Sequence, residues 1–174
     1  MKLLQIIMAT AIVLSGCDDD SKPGSEFNGL YELVVYQSKS DCESSEWTDL
    51  EITEPYFYLE AQNFLGYNII AWMDCSDADE SSCEDSVSLT DSFAKKDGVW
   101  QQYMTSSSYS EGNCYLSYTR AVLETTETGI SWESVSKSGM TTVDNEDDCE
   151  PELAEEIEDE LECEEIEYFE ADSI

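Results

Sequence analysis

The chain has 174 residues, with 41 acidic side chains, seven basic ones and no histidine, which gives a formal net charge of −34. Such a field repels nucleic acid and anionic membrane surfaces, so neither is an expected partner. Four Trp, ten Tyr and five Phe provide apolar surface for a core, which argues against disorder. The length fits one domain, and we expect a monomer.

The first 16 residues contain a basic position and an apolar stretch, residues 3–14, that is too short to span a bilayer. This layout is typical of a secretory signal peptide. The next residues complete the run Leu14-Ser15-Gly16-Cys17, which resembles the lipobox of bacterial lipoproteins. The resemblance implies cleavage before Cys17, a lipid on its sulfur, and a place in the cell envelope, on the periplasmic side or at the cell surface. A soluble secreted protein whose signal ends at a cysteine is the alternative.

Polar and turn-forming residues after the cysteine predict a flexible acidic tether, so that residues 17–27 form the lipidated Cys and tether. Residues 28–174 then form a single domain. Segments rich in β-branched and aromatic residues recur through it, with turn signals between them. Asp97-Gly98 is the clearest two-residue hairpin signal. The predicted strands are 29–36, 47–52, 56–61, 65–73, 87–95, 99–106, 114–123 and 130–136.

The periodicity changes once, near the C-terminus. Leu153, Ile157 and Leu161 are four residues apart, which predicts a helix over residues 151–161. Acidic side chains at its C-terminal end oppose the helix dipole, so packing rather than propensity must hold it. Residues 163–169 predict a ninth strand.

Eight antiparallel strands in up-and-down order can close into a barrel that leaves no sheet edge. The opening Gly29-Leu30-Tyr31 is similar to the Gly-x-Trp motif of lipocalins, with Tyr in place of Trp. A late helix followed by a closing strand also matches that family's order. The chain therefore resembles a lipocalin-like protein: mainly β, with an eight-stranded up-and-down barrel, one C-terminal helix and a ninth strand. A β-sandwich with the same strand count is the alternative.

Besides Cys17 the chain has six cysteines, an even number that favours disulfides in an oxidising compartment. A zinc site is disfavoured by the absence of histidine and of C-x2-C spacing. Strict up-and-down order places the first and last of the six at one rim and the other four at the opposite rim. A continuous helix of eleven residues would separate Cys149 from Cys163 by about 16 Å, too far for a bond. We therefore predict the pairs Cys42–Cys163, Cys75–Cys83 and Cys114–Cys149.

The sequence gives little support to catalysis. The usual neutral-pH base is missing, and the nucleophile and phosphate-binding motifs are absent, so we expect neither an enzyme nor a cofactor. Asp74, Asp77 and Asp79 offer oxygen ligands of the kind that calcium prefers. Their spacing lacks the glycine of an EF-hand, so they remain candidates and no metal site is predicted.

Two hypotheses of different class follow. Trp72, Trp100, Tyr103, Tyr118 and Trp132 lie in predicted strands, and an eight-stranded barrel can keep a pocket for one small ligand. The first hypothesis is therefore a non-catalytic, lipid-anchored envelope protein that binds a small apolar or amphipathic ligand through these residues.

The second hypothesis starts from charge. Residues 144–172 contain 17 acids and no base. A structural or interaction lipoprotein with a filled core could use this surface to contact a basic protein or another envelope component. Plain solvation in a salty environment is the simpler explanation of the same residues.

Overall fold

The fold is a β-barrel in a computed structural model that describes residues 22–42, 44–84 and 92–174. The signal peptide, Cys17 and the first residues of the predicted strand 87–95 lie outside these ranges. One α-helix, α1, and nine strands are found within them. The strands are β1 (Gly29–Ser40), β2 (Ser44–Asp49), β3 (Tyr56–Phe64), β4 (Tyr67–Cys75), β5 (Phe93–Lys96), β6 (Val99–Ser110), β7 (Asn113–Thr125), β8 (Gly129–Thr142) and β9 (Cys163–Ser173).

Eight of these strands form a closed antiparallel barrel, which confirms the predicted fold class. The order is β1-β3-β4-β5-β6-β7-β8-β9, and pairing between β9 and β1 closes the circuit. The Asp97-Gly98 hairpin is confirmed, with both residues at positive φ (54° and 88°) as a primed turn requires.

The strand outside the circuit is the second rather than the last. Both β2 and β3 run antiparallel to β1, β3 along residues 29–32 and β2 along residues 37–40. The two strands occupy one strand position beside β1, and residues 50–55 interrupt it. Patterning alone shows two short strands here, because only the pairing register reveals that the chain does not reverse between them.

This correction moves the cysteines. Since β2 and β3 continue in one direction, all six cysteines lie at the same end of the barrel, which we call the upper end. The predicted separation onto opposite rims is therefore wrong. The bonded pairs are nevertheless those predicted, with Cα separations of 5.5, 3.8 and 5.4 Å for Cys42–Cys163, Cys75–Cys83 and Cys114–Cys149.

The helix is shorter than the predicted 151–161. The α1 helix spans Glu152–Glu156, and a separate 3-10 turn covers Glu158–Glu160 after Ile157 leaves the helical region at φ −110° and ψ 23°. The acidic residues at this end oppose the helix dipole and supply no favourable charge to continue it. Among the described residues no helix has the length and apolar character needed to cross a bilayer.

The apolar core changes sides along the barrel. In the upper half of β7, Cys114, Leu116 and Tyr118 point outward and are buried under Ala154 of α1 and Leu161. In the lower half of β7 the opposite face is buried, inside the barrel, in the main cluster. This main cluster includes Phe57, Leu59, Ile70, Trp100, Leu123 and Ile130.

The lower end of the barrel is closed by the segment before β1. Ser25–Phe27 form a 3-10 turn, Phe27 is only 4% exposed, and its carbonyl oxygen accepts a hydrogen bond of 2.8 Å from the Tyr31 hydroxyl. The predicted tether over residues 17–27 is thus too long, because its last residues belong to the domain. Phe27 explains the difference, because burial of its ring stabilises the turn by more than the flexibility of the neighbouring turn-forming residues opposes it.

Removing the disulfides tests how far each one holds this barrel. Sequence separations of 121, 35 and 8 residues predict losses in the free energy of unfolding of about 5, 4 and 2.5 kcal/mol in the chain-entropy model. The measurement is urea unfolding of the paired Ser variants, for example Cys42→Ser/Cys163→Ser. A larger loss at Cys75–Cys83 than at Cys42–Cys163 would contradict the expected order.

Candidate ligand-binding cavity

The barrel interior contains an open cavity of about 400 Å³ above the packed lower core. This volume lies in the range of small-molecule sites. The wall is mostly aromatic, with acidic side chains at its edge. The lining residues are Leu33, Tyr36, Glu54, Phe57, Trp72, Asp74, Phe93, Gln102, Trp132 and Phe169.

Four of these rings form a continuous wall. Phe57 stacks on Trp72 with ring centroids 3.8 Å apart and planes 9° from parallel, and Phe169 packs edge-on against Trp72 at 5.6 Å. Trp132 follows at 4.9 Å from Phe169. Its indole Nε1 is buried and has no hydrogen-bond acceptor among the described residues. An unpaired buried donor costs about 1–3 kcal/mol, and the indole Nε1 of Trp100 in the lower core is unpaired in the same way among the described residues.

Acidic side chains lie where the cavity opens beside the upper ends of the short strands β3 and β4. Asp74 accepts a 2.9 Å hydrogen bond from the indole Nε1 of Trp72, which fixes the acid and the ring to each other. Glu54, just before β3, lines the same opening. An adjoining recess of about 420 Å³ shares both acids and adds Glu84. The entrance therefore has a negative lining.

Above the rings the inner surface becomes polar. Hydroxyl pairs join neighbouring strands, Ser106 to Ser117 at 2.7 Å and Thr119 to Ser136 at 2.9 Å. Glu167 accepts a long hydrogen bond of 3.4 Å from the hydroxyl of Tyr36, a cavity residue. Burial raises the pKa of Glu167 above its ordinary value, and the nearby charge of Glu165 raises it further.

The structure divides the predicted ligand residues. Trp72 and Trp132 line the cavity, whereas Trp100 lies deeper, packed against Phe27 in the lower core. Tyr103 and Tyr118 lie on the outer face, where their rings approach to 6.1 Å. In β6 Trp100 and Tyr103 are three positions apart, and residues an odd number of positions apart occupy opposite faces of a strand. Strand parity alone therefore excludes that pair from one site.

Sequence reasoning missed most of the remaining wall. Phe57 alternates with the buried Leu59, and Phe169 with the buried Ala171, so alternation in the two strands would have marked both rings as inward-facing. Tyr36 carries no such signal, because the register shift between Leu33 and Val35 breaks the alternation before it.

The calcium candidates do not assemble into a site. The Asp74 carboxylate accepts a hydrogen bond from the Trp72 indole. The Asp79 carboxylate caps a 3-10 turn by accepting a 2.8 Å hydrogen bond from the backbone N–H of Ser81. Within the described ranges, the one group of three metal-type ligand atoms found close together is Asp41, Cys42 and Cys163. Its two sulfurs are joined in a disulfide, so they are not free to bind a cation.

Comparison with protein-family models, with curated proteins and with solved structures finds no match to this chain.

The raised pKa of Glu167 predicts a pH-dependent variant. In the fold its ionised form is disfavoured, so its contribution to stability is favourable below the ordinary Glu pKa and is lost as the pH rises through the raised value. Glu167→Gln should therefore raise the free energy of unfolding at pH 7, by less than about 1 kcal/mol because solvent screens a half-buried charge. The gain should disappear near pH 4 in thermal unfolding followed by circular dichroism.

The control is Glu51→Gln, which removes the same charge from an exposed loop position. It separates the local burial of Glu167 from the general relief of negative charge. Equal stabilisation by both variants at pH 7 would contradict the proposed cause.

Proposed function

We propose that this protein is a non-catalytic lipoprotein of the bacterial cell envelope, anchored through Cys17, whose barrel binds a small apolar or amphipathic ligand. The observation that carries the ligand-binding part is the cavity of about 400 Å³ with its wall of four aromatic rings. A small and mostly apolar concave site with a few polar groups is the usual form of a ligand pocket.

The inner surface favours an amphipathic ligand. The rings of Phe57, Trp72, Phe169 and Trp132 offer an apolar contact surface, and the hydroxyl and carboxyl groups above them offer hydrogen bonds. A ligand that buried its apolar part among the rings would gain free energy, because apolar surface leaves water. Its polar end could stay near the entrance, where it avoids the cost of burial without hydrogen bonds.

Support for the anchor comes from the sequence. Leu14-Ser15-Gly16-Cys17 follows an apolar stretch, and six further cysteines match an oxidising compartment. The structure adds that the domain starts close behind the cysteine, since Gly24 and Phe27 are already buried.

A second candidate is an interaction lipoprotein that uses its acidic exterior. Exposed acids surround α1, among them Glu152, Glu155 and Glu156, and one basic residue, Lys137, meets this surface at 3.3 Å from Glu158. Such a surface fits a basic protein partner. The aromatic cavity favours the first candidate, because a purely structural core needs no space between its rings.

Ligand binding is tested with retinol as a neutral amphiphilic probe and the Cys17→Ser chain from the soluble fraction, so that no detergent competes. We expect retinol to quench the Trp emission, and Trp72→Phe and Trp132→Phe each to reduce the quenching because both indoles line the cavity. Trp47→Phe is the matched control, since this indole is 45% exposed on the outside.

A cavity-filling variant gives a second readout. Leu33→Trp places a larger side chain into the wall and should weaken retinol binding at least tenfold, whereas Tyr103→Trp adds an indole on the outer face and should not. Retinol's own fluorescence reports binding in both. Saturable binding that is unchanged in Leu33→Trp, with native circular dichroism, would place the ligand elsewhere and refute the proposal.

The anchor is tested separately. We expect mass spectrometry to find Cys17 as the acylated first residue of the mature chain in the membrane fraction. Cys17→Ser should move the protein to the soluble fraction, because two or more acyl chains are what make membrane attachment stable. Retention of this variant on membranes would count against acylation at that position.

A further inference from the structure

We propose that the cavity selects an organic cation, a ligand with an ammonium or similar group attached to an apolar body. This inference rests on the proposed ligand binding and names the ligand's charge. The juxtaposition that carries it is an aromatic wall next to several acidic side chains that have no basic side chain beside them among the described residues.

The acids come from different elements but face the same interior. Glu54 and Asp74 line the cavity itself, and Glu167 lies two residues before Phe169 on the inward face of β9. In the described part of the chain no Lys or Arg lies within ion-pair distance of these three. The segment 85–91, which lies outside the described residues, also contains no basic residue in the sequence. A ligand cation would supply the missing counter-charge.

The protein's own cations are used at other rings. Lys39 lies 4.8 Å over the ring of Trp47, Lys95 5.5 Å over Trp100, and Lys96 4.5 Å over Tyr103. These three rings are outside the cavity wall. The wall rings, by contrast, have no lysine or arginine over them among the described residues. Aromatic faces attract cations, most strongly where water is excluded.

Net charge points in the same direction. The value of −34 disfavours approach of anionic amphiphiles such as fatty acids, and the acids at the entrance add a local barrier. A neutral ligand would feel neither effect. A cation would be attracted by the whole molecule and then held by groups already placed at the cavity.

The test compares three probes that differ mainly in the charge of one terminal group: 4-phenylbutylamine, 4-phenylbutan-1-ol and 4-phenylbutyrate. Calorimetry on the Cys17→Ser chain should show the amine binding at least tenfold more tightly than the alcohol, and the carboxylate most weakly. Added salt should reduce the amine's advantage, because screening weakens charge interactions.

Variants locate the effect. Asp74→Asn keeps an oxygen acceptor for the Trp72 indole and should weaken amine binding at least threefold and alcohol binding clearly less, and Glu54→Gln should have the same effect. Glu51→Gln is the matched control, exposed and not part of the wall. A loss in Glu51→Gln equal to that in the two cavity variants would assign the preference to net charge alone and overturn the inference.

The remaining outcomes separate the two proposals. Equal affinity for amine and alcohol would overturn selection of a cation and leave ligand binding intact. Equal weakening of amine and alcohol in Asp74→Asn would show that the acid only shapes the wall, and would also overturn it. Failure of all three probes together with retinol would overturn ligand binding itself.

Discussion

Closure of the barrel depends on the pairing of its first and last strands. β1 and β9 pair antiparallel from Tyr31–Ser173 up to Ser40–Glu165, although they lie at opposite ends of the domain sequence. Just above this seam the Asp41 backbone N–H donates to the Glu164 carbonyl at 3.0 Å, and the Cys42–Cys163 disulfide follows. Contacts so distant in sequence are slow to form and cost much conformational entropy. The Cys42–Cys163 disulfide stabilises the β1–β9 pairing, where this cost is largest.

The exchange of faces along β7 gives the barrel its polarity. Where α1 covers the outside, the apolar residues of the strand point outward and its hydroxyl groups point inward. Where no helix covers the strand, its apolar residues point inward. The interior therefore grades from packed lower core, through the aromatic wall, to a hydroxyl- and acid-lined upper part. A short helix on the exterior thus helps to create an amphipathic interior.

Alternation and turn residues were sufficient to predict the barrel and the Asp97-Gly98 hairpin. The disulfide pairs are those predicted, but the argument from opposite rims was wrong, because all six cysteines lie at the same end of the barrel. These signals could not show that β2 and β3 occupy one strand position, because that depends on how both strands pair with β1, and strand pairing cannot be read from alternation or turn residues. The site was predictable only in part. The sequence predicts Trp72 and Trp132 as lining residues, and strand parity excludes Tyr103 from the site. Tyr36 depends on a local register shift that leaves no trace in composition.

If Cys17 carries a lipid, as proposed, the turn that contains Phe27 sets which end of the barrel faces the bilayer. From Cys17 to the buried Gly24 the chain can extend at most about 25 Å, so an acylated protein would stand with its closed floor towards the lipid. The cavity opens away from that floor, beside the upper ends of the short strands β3 and β4, past Glu54 and Asp74. A ligand of the cavity would then enter from the surrounding water and return to it. The bilayer would hold the protein in place but would not supply the ligand.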